Sequence, residues 1–62
     1  MLHLSEVLIQ EHELTSFTEL VTVIQKRARD GEMFFQMDVK PPFGDTPDNW
    51  EERLESAFTS AR

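Results

Sequence analysis

Apolar positions recur along the chain at two different periods, and each change of period marks an element. Phe17, Leu20, Val21, Ile24 and Ala28 fall at i, i+3, i+4, i+7 and i+11, one stripe of a helix with 3.6 residues per turn. This spacing predicts a helix over 16–30. Ser16 and Glu19 have the spacing of a capping box, in which each side chain satisfies a backbone donor of the other. Lys26, Arg27 and Arg29 put cations at the negative end of the helix dipole. Gly31 suits the left-handed position that follows a last helical turn.

Residues 32–40 alternate instead. Met33, Phe35, Met37 and Val39 share one side, and Phe34, Gln36, Asp38 and Lys40 the other, which predicts a strand with the first set facing the core. Phe34 is the apolar exception on the polar side. Pro41 and Pro42 end the strand, because proline donates no ladder hydrogen bond. The longer period then returns in Trp50, Leu54, Ala57, Phe58 and Ala61. A second helix is expected over 46–60, with Thr46 as its N-cap and Pro47 in its first helical position.

Residues 1–14 fit neither period. Leu2 and Leu4 alternate, but Val7, Leu8 and Ile9 run together. A strand at about 7–13 gives a β-α-β-α order; a helix capped by Ser5 gives α-α-β-α. The strand is favoured because a lone strand at 32–40 would leave its backbone groups unpaired. Two strands joined through one helix would run parallel. The expected fold is α+β, a single small domain over 1–62. A two-stranded sheet is weak alone, which points to completion by a homodimer or by a partner's strand.

Size sharpens that expectation. A domain of 62 residues buries only about 60% of the surface its unfolded chain exposes, and such scaffolds usually carry a disulfide, a metal or a partner chain. No cysteine is present, so self-association becomes a leading option. The longest apolar run, Val7-Leu8-Ile9, is far short of the roughly 20 residues that span a bilayer. No membrane contact is expected, and the default location is the cytoplasm.

Charge narrows the partner class. The net charge is −6, which repels nucleic acid and anionic membranes and favours basic partners. Glu6, Glu11, Glu13 and Glu19 precede the first cation. Asp48, Glu51, Glu52 and Glu55 crowd the last predicted helix. That helix face reads either as an acidic docking surface or as the ordinary solvated side of an amphipathic helix, and the ordinary reading has the larger share.

Candidate chemistry adds little. In Glu11-His12-Glu13, neighbouring side chains diverge on a strand, and His3 and His12 are too few for a zinc site. No nucleophile elbow surrounds a serine, and Gly31 and Gly44 do not form a phosphate loop. No catalytic residue, metal or cofactor is therefore expected. Lys26, Arg27 and Arg29 form the one basic cluster. It reads first as a complement to the helix dipole and second as a phosphate-contacting patch. Phe34 and Phe43 are the aromatics least easily buried, hence candidate interface anchors.

The leading expectation is a non-enzymatic regulator or inhibitor that binds a larger protein with a basic surface. Its contacts would be Phe34, Phe43, Asp48, Glu51, Glu52 and Glu55. The alternative is a small nucleic-acid-binding regulator that uses Lys26, Arg27 and Arg29 as a dimer. Short, acidic chains without a site motif are common among accessory proteins of phages, plasmids and bacterial operons, an association of composition only.

Overall fold

The computed structural model describes residues 1–62. Five elements follow in the order β1 (Leu2–His3), α1 (Leu4–Gln10), α2 (Phe17–Arg29), β2 (Phe35–Gln36) and α3 (Trp50–Ala61). The fold is a small α+β domain. Its two strands pair in parallel, Leu2 opposite Phe35 and His3 opposite Gln36.

The N-terminal segment corrects the expected order. Residues 7–13 do not form a strand: Val7 lies inside α1, and His12 and Glu13 form a turn. Leu4, Val7 and Leu8 stand at i, i+3 and i+4, so a helix sends all three toward the core. Leu4 and Val7 are fully buried, Leu8 packs against the same cluster, and Ile9 is left pointing outward. A strand through Val7-Leu8-Ile9 would have split them between two faces. The helix is not capped by Ser5, because α1 begins at Leu4 with His3 in the cap position.

The strand that β2 needed comes from residues 2–3 of the same chain. β1 gives way to α1 after two residues, so the ladder with β2 is equally short. The 32–40 segment is accordingly a strand only at Phe35–Gln36. Phe35 and Met37 pack against the core as expected. Met33 and Val39 do not, and are exposed.

α2 forms as its pattern predicts. Phe17, Leu20, Ile24 and Ala28 are buried, and Val21 packs beside them. The Ser16 hydroxyl accepts from the Glu19 amide at 3.2 Å. The return half of the expected capping box is displaced by one residue: Glu19 Oε1 accepts from the amide and hydroxyl of Thr15, at 2.8 and 2.9 Å. Gly31 takes φ +114° and ends the helix in a conformation that glycine adopts most easily.

α3 starts later than expected. Thr46 is not its N-cap; the cap is Asn49, without a side-chain bond. The Thr46 hydroxyl instead donates to the Pro41 carbonyl at 3.4 Å, and Pro47–Asn49 form a lead-in turn. Leu54, Ala57 and Phe58 are buried. They close a single core made by Leu2, Leu4 and Val7 from the N-terminal elements, the α2 stripe, and Leu54 and Phe58.

Candidate binding surface

β2 and α3 meet at their aromatic side chains. The rings of Phe35 and Phe58 stack with centroids 5.3 Å apart and planes 28° apart. The Arg62 guanidinium lies 5.9 Å over Phe58, within cation–π range. Beside this stack runs a groove of about 280 Å3, lined by Met33, Phe34, Phe35 and Met37 from the β2 segment and by Glu55, Phe58, Thr59 and Arg62 from the last helix and its end. Phe34 is 64% exposed and Met33 60%. Phe34 faces solvent because the pleat that turns Phe35 inward turns its neighbour outward. The expected interface anchor is therefore free.

Phe43 is not free in the same way. It is half-buried and packs against the core. The buried Pro41 and the Thr46-to-Phe43 backbone bond fold its loop onto the domain.

The acidic residues of the last helix behave differently from the basic ones of α2. Asp48, Glu51, Glu52 and Glu55 are all exposed, and none enters an ion pair within the chain. Glu51 and Glu55 stand one turn apart, on one face of α3. By contrast, Lys26 pairs with Asp30 at 3.1 Å, and Arg27 bonds Gln10 Oε1 at 2.9 Å and Glu11 Oε2 at 3.4 Å. Arg29 alone of the three has no such partner. The basic cluster thus spends two of its cations internally, while the acidic residues at and before α3 have no ion-pair partner on the chain.

One constellation escaped the sequence analysis. Asp38 accepts from the Ser5 amide at 3.0 Å and from the Ser5 hydroxyl at 2.7 Å, and His3 Nδ1 lies 3.9 Å from the same carboxylate. The Ser5 hydroxyl and then its amide hold the Asp38 carboxyl below its ordinary pKa, with smaller help from Asp38's own amide and from His3. These are the residue types of a hydrolase triad in a different order. Nucleophile activation needs the imidazole between hydroxyl and carboxylate. Here the carboxylate stands between the other two and takes the hydroxyl proton's hydrogen bond itself. The arrangement ties the first turn of α1 to the segment after β2. Ser5 and Asp38 are 33 residues apart, so nothing local in the sequence signals their meeting.

Two further depressions, of about 390 and 460 Å3, lie on α3 and are lined mainly by polar side chains such as Asn49, Arg53, Ser56 and Thr59. No three histidine or acidic side chains converge in metal-binding fashion. No helix is long and apolar enough to cross a membrane. No family model, curated protein or solved structure matches the chain.

Proposed function

We propose that this chain is a non-enzymatic interaction protein of the cytoplasm, a small regulator or inhibitor that binds a larger protein with a basic surface. The observation that carries the reading is the placement of an exposed aromatic, Phe34, and an unpaired carboxylate of α3, Glu55, on one groove. A large apolar side chain at the centre of a patch supplies most of the binding energy of an interface, and surrounding charge supplies orientation and rate. Phe34 and Met33 fill the first role. Glu55 fills the second from the groove wall, with Asp48, Glu51 and Glu52 extending the field. Phe43 contributes by holding the loop rather than by reaching out.

The nucleic-acid alternative draws less support. A phosphate-binding surface needs cations in excess, and Lys26 and Arg27 already have partners on the chain.

The test is quantitative co-capture from cell extract with the native chain, Phe34→Ser and the double variant Glu51→Lys, Glu55→Lys, at low and high salt. The reading predicts a basic protein retained by the native chain, lost with either variant, and released as salt screens the charges. Retention indifferent to both variants and to salt would contradict it.

A further inference from the structure

The wall that the last helix gives the groove is a single stripe. Glu55, Phe58, Thr59 and Arg62 stand at i, i+3, i+4 and i+7, positions that share one helix face. Phe58 is buried at its base, and Glu55, Thr59 and Arg62 are exposed. The stripe carries one charge of each sign, about two turns or 10 Å apart along the axis. Neither charge has an ion-pair partner on the chain; the Arg62 guanidinium lies over the Phe58 ring.

We infer that this stripe binds a second copy of the chain about a two-fold axis at Phe58 and Thr59, with Glu55 of each copy facing Arg62 of the other. A two-fold interface joins the same surface on both copies, so residue i meets j wherever j meets i. Two α3 helices laid antiparallel and centred between Phe58 and Thr59 meet that condition, because positions 55 and 62 are equally far from the centre. The two open charges then satisfy each other twice. A parallel pair would set Glu55 against Glu55 and Arg62 against Arg62. Thr59 is short enough at the axis for the helices to approach closely, and Met33, 60% exposed across the groove, adds apolar area for the second copy to cover. Only 11 of 62 residues are buried and no disulfide is available, so a domain of this size gains from a partner chain. A small interface of about 1,200 Å2 takes about 600 Å2 from each copy, roughly 15% of the 4080 Å2 that the chain exposes. The net charge of −6 opposes association, but the antiparallel register blunts it. The two Glu55 side chains stay about 10 Å apart along the axis, one Debye length at 0.1 M salt. Asp48, Glu51 and Glu52 precede Glu55 and fall beyond the end of the other α3. The inference does not rest on the proposed function. A Glu55 engaged by a second copy is withheld from a protein partner, so the two compete, and failure of either leaves the other standing.

The inference is tested by sedimentation equilibrium on the full chain at physiological salt, up to millimolar concentration. The native chain is expected to dimerise with a dissociation constant on the order of 0.1 mM, as for a small transient interface. Glu55→Arg sets two cations together and Arg62→Glu two carboxylates, and each should weaken association about tenfold. An equimolar mixture of the two variants restores both pairs across the interface and should associate as tightly as the native chain. Urea midpoints separate a folding defect from a lost contact. Isotope-filtered NOEs between labelled and unlabelled native copies, expected at the Thr59 methyl, need no variant at all. A native chain that stays monomeric at millimolar concentration, single variants that dimerise as the native chain does, a mixture that stays monomeric, or intermolecular NOEs that leave out Thr59 would overturn the inference.

Discussion

The Asp45 carboxylate accepts a hydrogen bond from the Phe17 amide at 2.8 Å, across 28 residues of sequence. Phe17 opens α2, and its amide is one of the donors that a helix start leaves without an intrahelical acceptor. The loop before α3 thus caps the helix against which α3 packs. Asp45→Ala should cost about 1 kcal/mol, the usual worth of a helix cap. Urea unfolding followed by circular dichroism measures it. An unchanged midpoint would mean that water serves the amide equally well.

The two glycines should separate in the same assay. Gly31 has φ +114°, and nothing stands within 4 Å of a Cβ added there. Gly31→Ala is therefore a test of backbone strain alone and should destabilise by roughly 1 kcal/mol. Gly44 has open space and no positive φ. Gly44→Ala should be neutral or slightly stabilising, since it restricts the unfolded chain.

Leu54 is fully buried, whereas Ile9 is 75% exposed. Leu54→Ala should cost roughly 2–5 kcal/mol. At typical values per residue, a chain of this length has only about 3–9 kcal/mol in total, so the variant should lose most of its cooperative transition. Ile9→Ala should unfold much as the native chain does. Equal effects at the two positions would contradict the packing described for α1 and α3.

Asp38 gives the pH dependence a sign. Its folded pKa lies below the unfolded value, chiefly through the Ser5 hydroxyl and then the Ser5 amide. The stability it contributes is present above the unfolded aspartate value and is lost as pH falls through the folded one. Glu19 acts in the same direction, through the Thr15 amide and then the Thr15 hydroxyl. An NMR titration should find the Asp38 carboxyl below ordinary aspartates, and Ser5→Ala should raise it toward them. An Asp38 midpoint that Ser5→Ala leaves in place would contradict this account.

α2 was legible in the sequence because stripe, cap, terminal charge and glycine all agree on its limits, and local signals are what periodicity reads. α3 was legible as an apolar stripe but not at its start: Thr46 and Pro47 have the chemistry of a helix opening, yet Thr46 is used by the Pro41 carbonyl. In the N-terminal segment, three consecutive apolar residues hide which one faces out, and it is Ile9. Leu4, Val7 and Leu8 did carry the helical spacing. β2 does have the partner strand its backbone needs, but residues 2–3 supply it rather than 7–13. Phe34 was legible as a candidate anchor by its break in the alternation. Phe43 reads as hard to bury because a proline-flanked loop gives no local sign of folding back onto the core, against which it packs. The Ser5–Asp38 and Phe17–Asp45 bonds depend on tertiary approach and leave no local trace.

The central claim is that Phe34 is an interface anchor rather than a structural residue. Its most direct test is the affinity of the captured, purified partner for the native chain and for Phe34→Ser, measured by isothermal titration beside their urea midpoints. The account predicts binding weakened by about thirtyfold or more, as for a hot-spot side chain worth about 2 kcal/mol, with the midpoint unchanged. Undiminished binding by Phe34→Ser, or a fall in stability that accounts for the whole loss, would contradict it.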